Sequence, residues 1–74
     1  MHQVYVLRNT AGEYYIGYTN DIERRLKEHA KTRPNFNLLY YESYQNSSAA
    51  RNREQKLKYY GSAWRGLKKR ILGA

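Results

Sequence analysis

Among the last 24 residues a single acid, Glu54, stands against eight basic residues. The segment around it reads as a helix whose apolar stripe is Ala50, Leu57 and Tyr60. Glu54 lies four residues after Ala50 and three before Leu57, so it falls on that stripe and faces the core side. A carboxylate taken out of water without a partner is costly. Two partners suit it. One is an ion pair with Arg51 or Arg53; the other is a hard divalent ion such as Mg²⁺, commonly held by one carboxylate, waters and a substrate phosphate. Two tyrosines form a second cluster. Tyr5 shares a strand face with Leu7, opposite Val4 and Val6, and Tyr15 shares one with Gly17, opposite Tyr14, Ile16 and Tyr18. Paired in a hairpin, Tyr5 and Tyr15 come close, and Gly17 leaves space beside them for something to approach the backbone. Arg25 and His29 are four apart on a helix and flank Ile22 and Leu26 on its inward face.

These groups need a scaffold. Val4 to Leu7 and Tyr14 to Tyr18 are β-branched and aromatic runs joined by Asn9-Thr10-Ala11-Gly12, a hairpin signal. Asn20 is positioned to cap a helix reaching about Ala30, with Glu23 at the capping-box position. Lys31 to Phe36 holds the chain's one proline and reads as a loop, and Asn37 to Tyr44 as a third strand. A second helix starts at Ser47 or Ser48, runs through about Tyr59 and ends on Gly61 as a C-cap. Ser62 caps the last helix, which packs through Trp64, Leu67 and Ile71. The fold class is α+β, a three-stranded antiparallel sheet flanked by helices in the order β-β-α-β-α-α.

At 74 residues there is room for one domain, residues 1–74, with little stability to spare. Without cysteine there is neither a disulfide framework nor a thiolate metal site. No apolar run approaches a membrane span, and the chain enters its first strand too soon for a signal peptide. A cytoplasmic protein is expected. The net charge of +8 is lopsided: residues 1–50 carry six basic against five acidic side chains, residues 51–74 eight against one. Such a field attracts a phosphate backbone. A solvated basic face is the plainer reading, and a lipid surface is disfavoured for want of a broad apolar helix face.

The ordered set Val4-Tyr5, Tyr15-Ile16-Gly17, Arg25, His29 and Arg53-Glu54 resembles the GIY-YIG nuclease family over nearly the whole chain, from Gln3 to Ile71. It is most similar to compact stand-alone members related to the N-terminal nuclease domain of an excinuclease. The specific part is the stretch from Tyr15 to His29; Arg53 to Lys58 resembles the family's metal-carboxylate segment. The first motif has Gln3 where the family has glycine, and no Asn follows Asn52, so Ser62 or Arg65 would have to replace a polar contact of the last helix.

The resemblance implies metal-dependent hydrolysis of DNA phosphodiesters with Mg²⁺ or Mn²⁺. It makes Tyr5 and Tyr15 the motif tyrosines, Arg25 the helix arginine, Glu54 the metal ligand, and His29 a histidine found in many members. Arg25 would grip nonbridging oxygens, and one of the two tyrosines would orient or deprotonate water, Tyr5 being favoured and Tyr15 the alternative. A phenol's ordinary pKa is about 10, so the metal and Arg25 must lower it or His29 must take the proton onward. Lys56, Lys58, Arg65, Lys68, Lys69 and Arg70 are the expected backbone contacts, which position DNA without reading bases. Nothing resembles a separate base-reading module, so specificity falls to DNA shape or a partner protein. The rivals are a nucleic-acid-binding adaptor of the same fold with little catalysis, and a basic RNA-associated protein.

Overall fold

The computed structural model describes residues 1–73, and its elements follow the expected order. They are β1 (His2–Asn9), β2 (Tyr14–Thr19), α1 (Ile22–Thr32), β3 (Phe36–Tyr44), α2 (Ser47–Tyr59) and α3 (Gly61–Leu72). The strands form one antiparallel sheet ordered β2-β1-β3. As the central strand, β1 is covered on both sides, so Val4 to Leu7 are all buried although their side chains alternate in direction. Val4 and Val6 join Ala50 and Leu57 of α2 and Leu67 of α3 in the main core. Tyr5 faces α1 on the opposite side.

Local chemistry sets the joints. The hairpin closes through paired bonds of 2.8 Å between the side chain of Asn9 and the backbone and side chain of Glu13, and Gly12 supplies φ +82. The N-cap of α1 is Asp21, one residue later than expected: its carboxylate accepts the Arg24 N–H at 3.1 Å, while Thr19 exchanges bonds with the Asp21 backbone. Glu23 therefore sits one place short of the capping-box position, still in the first turn where an acid suits the helix dipole. The helix runs two residues past Ala30 and stops at Arg33, whose backbone the following Pro34 biases away from helix. A register shift between Val6 and Leu7 puts Tyr40 opposite Val6 and Leu38 opposite Leu7, the signature of a bulge.

The largest departure is at the join of α2 and α3. Gly61 is not a left-handed C-cap and Ser62 is not an N-cap; Tyr60, in extended conformation, is the single residue between the helices and Gly61 already belongs to α3. Leaving the helical path turns Tyr60 off the apolar stripe, and it is 63% exposed rather than packed. Asn46 caps α2, accepting the Ala49 N–H at 2.8 Å. Trp64 and Ile71 pack beside buried Leu67 as their spacing requires, and Gly73 ends α3 at φ +70.

Candidate active site

Tyr5 is fully buried, and its hydroxyl is the hub of the α1 face of the sheet. The Arg25 Nε–H donates to Tyr5 Oη at 3.3 Å, and Oη lies 2.8 Å from His29 Nε2. With Oη accepting from Arg25, its own proton is directed to His29, which accepts when that ring is neutral with its proton on Nδ1. Tyr15 stacks on Tyr5 at 6.3 Å between ring centres, and His29 stands edge-on to both rings. Arg33 covers the Tyr15 ring at 4.6 Å. Gly17 pairs with Tyr5 across the hairpin, and a Cβ there would overlap the Tyr5 Oη and Cζ. The space expected to admit a ligand is thus filled by the Tyr5 phenol itself.

Burial raises the Tyr5 phenol above its ordinary range, and the opposing hydrogen bond from Arg25 does not cancel it; the nearby Tyr15 and Glu54 push the same way as burial. The protein therefore does not, by itself, lower that phenol. Burial, then the charges of Arg25 and Arg33, lower the His29 imidazole, keeping it neutral at pH 7. The Tyr5 hydroxyl first, then Glu28 through a 3.3 Å ion pair, stabilise the charged form of Arg25. Arg25 is a fixed cation anchored at two points.

Beyond Arg25 lies a groove of about 570 Å³, lined by Tyr18, Thr19, Asn20, Arg24, Arg25, Arg51, Glu54 and Gln55. It wraps the end of edge strand β2, between the start of α1 and the face of α2 on which residues 51, 54 and 55 lie together. Glu54 pairs with neither candidate arginine. Arg53 bonds Glu42 at 2.7 Å, and Arg51 lies over the Tyr18 ring at 5.0 Å. Among the described residues Glu54 makes one ion pair, from Oε2 to Lys58 Nζ at 3.2 Å, with both side chains partly exposed. The carboxylate is therefore open to the groove rather than sealed in the core. No group of three or more metal-binding side chains occurs among the described residues. A single groove-lining carboxylate still fits a Mg²⁺-like ion whose other positions are water and substrate phosphate. Glu54 and Arg25 thus share one opening, while Tyr5, Tyr15 and His29 stand behind Arg25.

The six expected backbone-binding cations lie outside the groove lining. Lys58 is engaged with Glu54, and Lys68 sits 5.8 and 5.9 Å above the Tyr14 and Trp64 rings. Lys56, Arg65, Lys69 and Arg70 are exposed on α2 and α3. The groove's own cations are Arg24, Arg25 and Arg51; the sequence reading gave Arg24 no role and took Arg51 only as an ion-pair partner for Glu54. Arg51 stands three residues before Glu54, a spacing that puts both on one helix face and was open to that reading.

Comparison with known proteins identifies the family and the fold. A UPF0213 protein of Halobacterium salinarum is 37% identical over 71 residues, covering 85% of this chain and 92% of that protein. A UPF0213 protein of Staphylococcus aureus is 33% identical, with 80% and 82% covered. The solution NMR structure of a UPF0213 protein from Bacillus halodurans superimposes with a TM-score of 0.56 at 32% identity, over 78% of this chain and 70% of that one. The family model described as the GIY-YIG catalytic domain matches residues 1–65, most of the chain, and the chain belongs to that family.

Proposed function

We propose that the protein is a metal-dependent endonuclease that hydrolyses DNA phosphodiester bonds, acting on intermediates of repair or recombination. The observation that carries this reading is that Arg25 and Glu54 line one groove while the Tyr5–His29 pair stands directly behind Arg25. Arg25, held by Tyr5 and Glu28, offers its remaining N–H groups to the nonbridging oxygens of the scissile phosphate, where charge is redistributed in the transition state. With substrate bound the attacking water must reach the buried Tyr5 Oη past Arg25; Tyr5 would then take its proton as its own passes to His29 Nε2, so the phenol never has to ionise alone. A second hollow of about 450 Å³, lined by His29, Arg25 and Arg33 among others, gives His29 a way to return that proton to solvent. Tyr15 keeps both rings in place.

Glu54 is the group that would hold Mg²⁺ or Mn²⁺, whose contribution when bound is to polarise the phosphate and neutralise the leaving oxygen. Lys58 steadies the Glu54 carboxylate through its Oε2. The exposed cations of α2 and α3 act on DNA through the long-range field.

The test is to incubate the protein with nicked, branched and plain duplex DNA and Mg²⁺ or Mn²⁺, beside Glu54→Ala and Arg25→Ala. Metal-dependent cutting lost in both variants is expected. Binding without cutting on every substrate would leave the adaptor reading, which the burial of Tyr5 and the Lys58–Glu54 pair favour.

A further inference from the structure

Arg51 is not merely another surface cation. Its guanidinium lies 5.0 Å from the centre of the Tyr18 ring. Tyr18 is itself fixed, because its hydroxyl is 2.8 Å from His2 Nδ1 and the His2 ring stands edge-on to it at 6.0 Å. A planar cation held against a ring loses less freedom on meeting a ligand than a free side chain does. Arg24 reaches the same groove from the first turn of α1. Among the described residues neither Arg24 nor Arg51 has a carboxylate partner, whereas Arg25 is tied to Glu28 and Arg53 to Glu42. Two uncompensated guanidiniums therefore share a groove with the Arg25–Glu54 pair. Uncompensated positive charge at a groove wall calls for an anion, and planar guanidinium groups match phosphate oxygens.

We infer that Arg51, set in place by Tyr18 and His2, and Arg24 form a second phosphate subsite, which holds a DNA backbone phosphate neighbouring the one at Arg25 and Glu54. This rests on the nuclease reading only for what occupies the Arg25–Glu54 position; binding at the second subsite requires no cutting. It places the closest backbone contacts on α1 and the start of α2 rather than on α3. The strand held there follows the groove around the end of β2.

The test is binding of a fluorescein-labelled DNA duplex to the full chain in EDTA, followed by anisotropy over a salt series. Arg51→Ala should weaken binding about three- to tenfold and reduce the slope of log K against log salt by about 0.9, the loss of one phosphate contact. Arg24→Ala should do the same. Arg51→Lys should keep the slope but lose part of the affinity, because the charge remains and the fixed plane does not. Lys27→Ala, an exposed cation of α1 outside both hollows, should leave slope and affinity near wild type. Circular dichroism establishes that each variant is folded; Arg51 and Lys27 are both exposed, so loss of fold is not expected. Unchanged affinity and slope in Arg51→Ala overturn the inference, as does an equal loss in Lys27→Ala. Cleavage by the wild type is scored separately. A reduced slope with no cleavage under any metal upholds the subsite and removes the enzyme; cleavage with an unchanged slope does the reverse.

Discussion

The Tyr5 hydroxyl and His29 Nε2 lie 2.8 Å apart, inside the protein and behind the arginine that faces the groove. Two groups with opposite shifts meet there. The phenol is held protonated and the imidazole is held neutral, so a proton can pass only from Tyr5 to His29, and both shifts make that transfer uphill unless a proton from water replaces it on Tyr5. Tyr5→Phe keeps the ring in its packing and deletes the relay. Cleavage should fall by about 10²- to 10⁴-fold, as for loss of a general base. His29→Ala should fall comparably, and the double variant little further, since the two act as a unit. Single-turnover cleavage of nicked duplex measures all three; additive losses would separate the roles.

The pH profile follows from the lowered imidazole. A basic group whose native pKa lies below the unfolded value of about 6.5 is neutral in both states above pH 6.5, so it costs nothing there. As pH falls below 6.5 the unfolded chain takes up the proton first, and stability declines until the native pKa is passed. The acid limb of cleavage should accordingly fall below pH 6.5, and His29→Gln should remove the corresponding part of the stability loss. Urea titrations at successive pH values read the second effect; a stability loss centred above pH 6.5 would contradict it.

Gly17 and Gly66 offer a paired test. At Gly17 a methyl group meets the Tyr5 phenol, wedged between sheet and α1, so Gly17→Ala should destabilise by about 1–3 kcal/mol and displace the relay. At Gly66, inside α3, an added Cβ meets nothing within 4 Å. Gly66→Ala should therefore stabilise by about 0.5–1 kcal/mol through helix propensity. Chemical denaturation of both variants gives the signs directly.

Glu54→Gln keeps the size of the side chain and removes its charge. Metal-supported cleavage should be lost, while stability changes by less than about 1 kcal/mol because the Lys58 pair is partly exposed. EDTA should likewise stop cleavage by the wild type and leave its melting curve nearly unchanged. Cleavage surviving in Glu54→Gln at full rate would place the metal elsewhere.

Much of the fold was legible because its signals are local. β-Branched and aromatic runs around a turn marked the hairpin strands, and the spacing of Trp64, Leu67 and Ile71 marked the packed face of α3. The candidate site residues stood out as an ordered motif. What the sequence concealed depends on contacts between distant segments. Nothing local says that Tyr5 fills the space above Gly17, or that Arg53 bonds Glu42 on β3 and leaves Glu54 facing the groove. The seat of Arg51 on the Tyr18 ring was hidden similarly, since Tyr18 lies 33 positions earlier on another element. Tyr60 was misread for a different reason: one extended residue suffices to join the helices, and a periodic pattern carried through it assigns it to the wrong face.

Helix α1 and helix α2 dock on opposite faces of the sheet, and the groove takes one wall from each. A ligand bound there bridges two layers that otherwise meet through the strands. In so small a chain it acts as a clasp: at a free concentration a hundred times its dissociation constant it adds about 2.7 kcal/mol to folding. For a domain of this size that is a rise in melting temperature of at least about 10 °C. Thermal shift in the presence of short oligonucleotides thus reports occupancy of the groove without any cut being made, and ranks candidate substrates before the reaction is known.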